Sequence, residues 1–148
     1  MSKHEEAELI LKLYDLRRED TMRKARDWYF REFNPESAAD VDRAMFSEHS
    51  GHLRMVMTYW DMAAALVNHG AISRELFNDT NGEHLSVFSK LQPLLADMRA
   101  AYGPQVLVNL EKLINATPDG PERVAAIRER MKGIRAKLAE QAVAAGQR

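Results

Sequence analysis

Apolar residues along this chain recur at spacings of three and four and never alternate over a useful length, which predicts helices throughout and no strand. The densest stretch, LRMVMTYWDMAAALV from Leu53 to Val67, is apolar on almost every side when wound as a helix, the mark of an element surrounded by others. Arg54, Thr58 and Asp61 alone interrupt it, and their spacing of four and three sets them in one line along the helix. Gly70, after His69, is a typical C-terminal stop, so the central helix spans about 52–68.

Before it, residues 5–33 read as one long helix, free of Pro and Gly, acidic in its first turn (Glu5, Glu6, Glu8) and stopped by Asn34-Pro35. Its apolar face changes sides. Leu9, Leu13 and Leu16 form one stripe, and Met22, Ala25, Tyr29 and Phe33 lie roughly opposite, with Arg17-Arg18-Glu19-Asp20 between. Either the helix bends there or its halves pack on different neighbours. Ser37, with Asp40 three residues on, starts another helix in a variant of the capping box.

After it, Ser73 caps a short turn of helix, and Asn78–Gly82 is the densest loop-forming cluster. A helix over about 83–101 follows, with Pro93 predicting a kink or break, and Pro104 is expected to open the next. Residues 117–121, TPDGP, read as a linker to a C-terminal amphipathic helix at about 121–145. Val124, Ile127, Met131, Ile134 and Leu138 form a narrow heptad seam along it. The expectation is an all-α, multi-helix bundle of five to seven helices around a buried central helix, with long first and last helices, in one domain over 1–148.

Composition narrows the function more than the fold. The 148 residues carry 21 Lys and Arg against 22 Asp and Glu, a net charge of -1 that predicts no pull towards nucleic acid or anionic lipid. Absence of cysteine excludes a disulfide framework, thiol chemistry and thiolate metal sites, and suits a reducing, cytoplasmic setting. The N-terminus is charged from its third residue and reads as no secretory signal, and the central apolar run is too short and too polar for a membrane span.

Candidate chemistry is sparse. A charge on a surrounded helix must be compensated, and Arg54 and Asp61 stand too far apart along the axis to pair. Asp61 is therefore expected to meet an arginine from another helix, Arg99, Arg17 or Arg18. One reading of Arg54, Thr58, Asp61 and Arg99 is a structural pair that fixes helix register; the other is a polar pocket for a small ligand with Asp61 as anchor. His49 and His52, with His84, invite a zinc hypothesis, but Gly51 splits the pair and the His-Glu-x-x-His and Glu-x-x-His patterns are absent. The Asp79–Gly82 loop fails as a calcium loop, since the register puts Phe77 and Phe88 at ligand positions. Cations crowd the last helix (Arg123, Arg128, Arg130, Lys132, Arg135, Lys137, Arg148) without interleaved aromatics, the pattern of a solvated basic face rather than of a nucleic-acid binder. No catalytic motif, cofactor site or metal site is assigned.

From Tyr59 to about Ile114 the chain resembles an uncharacterised bacterial family of all-helical domains. The likeness rests on Tyr59-Trp60-Asp61 with Ala63, then Val67 and Gly70, then Ile72-Ser73-Arg74-Glu75-Leu76, and after Gly82 on Phe88, Lys90, Pro93 and Met98-Arg99. It implies a helical module around the same central helix, associates Asp61 with Arg99 and assigns no reaction. The resulting expectation is a non-catalytic interaction or regulatory module that self-associates, most simply as a homodimer. Leu9, Leu13 and Leu16 would meet the seam of Val124, Ile127, Met131, Ile134 and Leu138, within or between subunits. The rival is a small-ligand- or metal-binding bundle built on Asp61 and the histidines.

Overall fold

The computed structural model describes residues 2–147, so Arg148 of the basic tail lies outside it. Among the described residues every regular element is helical: α1 (Lys3–Arg18), α2 (Asp20–Arg31), α3 (Ala38–Met45), α4 (Ser50–Asn68), α5 (Arg74–Thr80), α6 (Glu83–Leu91), a 3-10 turn (Gln92–Leu94), α7 (Leu95–Tyr102), α8 (Val108–Ala116) and α9 (Gly120–Gly146). None of these helices is long and apolar enough to cross a membrane.

The expected first helix is two. At Glu19 the backbone turns extended (φ -60°, ψ 144°), and the Glu19 carboxylate accepts from the N–H groups of Thr21 and Met22, which caps α2. The break resolves the conflict between the two apolar stripes. It lets α1 turn Leu13 inward while α2 buries Met22, Ala25, Trp28 and Tyr29. α1 begins with a complete capping box, Ser2 with Glu5, and the buried Glu6 reaches across to accept from the Ser73 N–H at 2.7 Å. That backbone hydrogen bond holds the Glu6 pKa below the usual carboxylate range. Arg26 of α2 grips Glu83 at the start of α6 through two hydrogen bonds of 2.9 and 2.7 Å.

α4 is the centre of the bundle, flanked chiefly by α8 and α2. Leu53, Val56, Trp60, Ala63, Ala64 and Val67 are buried, and the two alanines leave room for close neighbours. Its end is a Schellman motif: Gly70, at φ 82°, donates to the Val67 carbonyl, and Ala71 donates to that of Leu66. The helix is not encased all round, contrary to expectation. Arg54, Thr58 and Met62 are exposed, because the line of polar residues faces outward between α3 and α8. Gly51 lies inside the first turn of α4 rather than in the break before it.

Pro93 does what its missing N–H predicts, replacing one turn of helix by the 3-10 turn between α6 and α7. Pro104 does not open a helix. Gly103 at φ 116° and Leu107 at φ 53° make residues 103–107 an irregular corner, and α8 starts only at Val108. Two expected loops are shorter than composition suggested. α5 runs on through Thr80, and 117–121 is a packed corner instead of a loose linker. Thr117 is buried, Asp119 takes a left-handed conformation, and Gly120 lies so close to α8 that an added Cβ would fall 2.0 Å from the Ile114 carbonyl oxygen. α9 leaves this corner to pack on α6 and, less, on α8.

His84, buried on α6, touches Trp60 and Phe77 with ring centroids at 5.8 and 5.0 Å. Neither of its ring nitrogens has a hydrogen-bond partner. Burial, aided by the charge of Arg123, lowers its pKa to about 4. The unfolded chain therefore takes up a proton near pH 6.5 while the folded chain stays neutral, so stability falls as pH drops through 6.5 towards 4. The loss approaches about 3 kcal/mol at full separation of the two pKa values. Urea unfolding between pH 7 and 4.5 should show this fall in wild type and a shallower one in His84→Leu; equal slopes would remove His84 as the cause. Gly120→Ala should cost about 1–3 kcal/mol in the same measurement, because the clash is with backbone.

Candidate functional site

The Asp61 carboxylate, half-buried on α4, is occupied by α8. One oxygen accepts from the Leu110 N–H at 2.9 Å and the other from the Asn109 side-chain amide at 3.0 Å. Leu110 is the third residue of α8, whose own preceding residue, Leu107, has no side chain that can cap. Asp61 thus supplies from a neighbouring helix the acceptor that an N-cap residue normally provides, and its charge suits the positive end of the helix. Asn68, two turns further along α4, donates to the Asn109 carbonyl at 3.0 Å and ties the same two helices again.

Arg99 is not the partner of Asp61. Its Nε donates to the Val106 carbonyl at 3.0 Å and its guanidinium lies 3.1 Å from Glu111. The two residues nevertheless converge on one segment: Arg99 holds the corner before α8 and Asp61 holds the first turn after it. Arg17 and Arg18, the other expected donors, lie over aromatic rings, both over Tyr14 and Arg17 also over Trp60. Thr58 bonds back to the Arg54 carbonyl at 2.7 Å, and Arg54 reaches Ser50. Asp61 borders a shallow groove of about 300 Å³ shared with Met57, Met62 and residues 105–107. Asp61 and Arg99 therefore act on the segment at the start of α8, whereas Arg54 and Thr58 border a small hollow with α3 and α7, and the four residues do not share one polar pocket.

The histidines are not brought together. His49 stacks on Trp28 with His52 beside it, whereas His84 sits in the core against Trp60 and Phe77. Among the described residues no three His, Asp or Glu side chains cluster as metal ligands would.

The two apolar sets meant for self-association part company. Leu13 is buried in its own core, Leu9 is half-buried and Leu16 exposed. Along α9, Val124 is buried, Ile127 and Met131 are half-buried, and Ile134 and Leu138 are 51% and 59% exposed. The seam starts in the bundle and runs out into water. Every described residue from Lys132 onward is exposed. With Phe30 of α2, the emerging seam walls a groove of about 420 Å³.

Two features were missed in the sequence. Asn109 gave no sign of its role, since an asparagine in a first turn caps its own helix more often than it braces a neighbour's acid. Leu11 and Tyr14 are 62% and 44% exposed and form a second apolar stripe on α1. Their spacing of three was legible, but the neighbouring leucines overlaid it.

The family model described as a domain of unknown function, DUF4760, matches residues 4–117, and the chain belongs to that family. The match includes the resemblance at residues 59–114 and extends through α1–α3 as well. No curated protein and no solved structure matches the chain. The matched stretch ends at the corner before α9, which lies beyond it.

Asp61→Ala leaves the Leu110 N–H without its acceptor and should destabilise the protein by about 1–2 kcal/mol in urea unfolding. Asp61→Asn, which keeps an oxygen there, should lose less. An Ala variant as stable as wild type would end the capping role.

Proposed function

We propose that this member of the DUF4760 family is a non-catalytic, self-associating helical module in which the free length of α9 docks on α1 of a second copy. The observation that carries the reading is the apolar seam that leaves the bundle at Met131 and continues through Ile134 and Leu138 without cover from its own chain. A helix of this kind draws little stability from propensity alone and is normally completed by another helix. Gly133, in its exposed middle, weakens it further.

Charge selects the occupant. The positions beside the seam are Arg128, Arg130, Arg135 and Lys137, all cationic. A second α9 would bring like charges together along both edges, which disfavours pairing. α1 carries acids along one edge of its exposed stripe, with Arg17 and Arg18 over Tyr14 at the C-terminal end. Glu8 and Asp15 flank Leu11 and Tyr14 on one side, and Glu5 lies a turn earlier. Reciprocal docking of α9 on α1 gives a closed two-fold dimer with both seams covered. The lack of cysteine suits assembly in the cytoplasm. The rival built on Asp61 is weakened because that carboxylate already serves α8.

Light scattering on the full chain at about 100 μM should give twice the chain mass, a concentration at which micromolar affinity suffices. Ile134→Asp with Leu138→Asp should give a folded monomer, since both residues are exposed. Arg130→Glu with Lys137→Glu should loosen the dimer, and Glu8→Lys with Asp15→Lys in the same chain should restore it. A monomeric wild type, or a dimer indifferent to the seam substitutions, refutes the assembly.

A further inference from the structure

Between the end of α2, the 3-10 turn after α6 and the middle of α9 lies a cleft of about 420 Å³, within the size range of small-molecule sites. Four cations wall it, Lys90, Arg128, Lys132 and Arg135, against one carboxylate, Glu36. The sequence shows only three of these as neighbours on one helix. Lys90 comes from α6, and the packing of α9 on α6 brings it among them.

None of the four charges is neutralised inside the cleft. Lys90 donates to the carbonyls of Tyr29 and Phe33, each at 2.7 Å, and to the Asn34 side chain at 3.2 Å. Arg128 donates to the Ser89 carbonyl at 2.9 Å and to the Gln92 side chain. These acceptors are uncharged. They fix the two cations in place and leave their charge standing. Lys132 has a loose pair with Glu129 at 3.4 Å, both side chains largely in solvent. Arg135 makes no ion pair among the described residues. The crowding is felt by Lys90, whose pKa falls to about 7 through burial and the charge of Arg135.

We propose that this cleft is a binding site for a small molecule carrying a phosphate ester or diphosphate, held by Arg135 and Lys132 over the fixed charges of Lys90 and Arg128. The guanidinium of Arg135 offers a two-pronged donor that matches phosphate oxygens, and Arg128 keeps one terminal nitrogen free of protein acceptors. A dianion answers three full cations and a partly protonated Lys90 better than a carboxylate does. Leu94, Pro93 and Met131 on the same wall give the uncharged part of such a molecule an apolar surface. The site needs only one chain, but it shares Met131 and Arg135 with the groove beside the seam, so its test is made on protein in which the seam is altered as well as on wild type.

Sodium pyrophosphate, titrated by calorimetry into full-length protein, is the direct probe, with sodium chloride at matched ionic strength and sodium acetate as controls. One saturable site per chain is expected, with acetate at least about tenfold weaker. Arg135→Gln and Lys132→Gln, both at exposed positions, should each weaken it about tenfold with an unchanged melting curve. Ile134→Gln with Leu138→Gln removes the apolar seam without adding charge beside Arg135, leaves all four cations in place and should bind as wild type does, whatever the state of assembly. A parallel sedimentation with phosphatidylcholine vesicles, with and without phosphatidic acid, identifies the source of the phosphate. Capture by the acidic vesicles that pyrophosphate reverses assigns a lipid headgroup, and pyrophosphate binding without capture assigns a soluble ligand. No saturation by about 10 mM pyrophosphate, or equal affinity in the two variants, overturns the site.

Discussion

α8 begins without a cap of its own, and Asp61 of α4 supplies the acceptor across the bundle. That single carboxylate ties the middle of the chain to the first turn of α8. It sets where α8 starts, and α8 then presents Leu110, Leu113 and Ile114 to the core. The carbonyl of Ile114 in turn meets Gly120, where α9 departs. Arg99 and Asn68 brace the same junction from either side. The energy in each contact is modest, but they act in series along one corner of the bundle.

Much of the bundle could be read from the residue pattern, because helix periodicity and stop signals are local properties. The capping residues Ser37 and Ser73, the stop at Gly70 and the interruption at Pro93 all act within a few residues of themselves. The displaced stripes around Arg17–Asp20 likewise required a bend or a break, and Glu19 provides it. What failed was whatever depended on a distant partner. The length of the irregular corner before α8 follows from Leu107 and Asp61 jointly, and no local rule contains both. The packed corner at 117–120 looks like a linker by composition, since Pro, Asp and Gly serve tight turns and loose tethers alike.

The polar line on α4 shows the same limit. An almost wholly apolar stretch predicts a surrounded helix whose polar residues need ionic partners inside. Three and four residues apart, they mark the outward edge of an amphipathic helix with an unusually broad apolar face. Asp61 reaches sideways from that edge to backbone and amide groups, which satisfy a carboxylate as well as an arginine would. Lys90 makes the complementary point at the other end of the molecule, where it closes the carbonyl end of α2. Both charges stitch helix termini across the bundle, and neither role is visible from spacing within one helix.

Gly120 settles where the uncovered half of the last helix points. A side chain added at this one position would meet the Ile114 backbone, so the base of α9 and the end of α8 would have to part before the helix could lie along α6 as it does. The direction in which the uncovered tip leaves the bundle is thus tied to a backbone contact at the opposite end of the same helix.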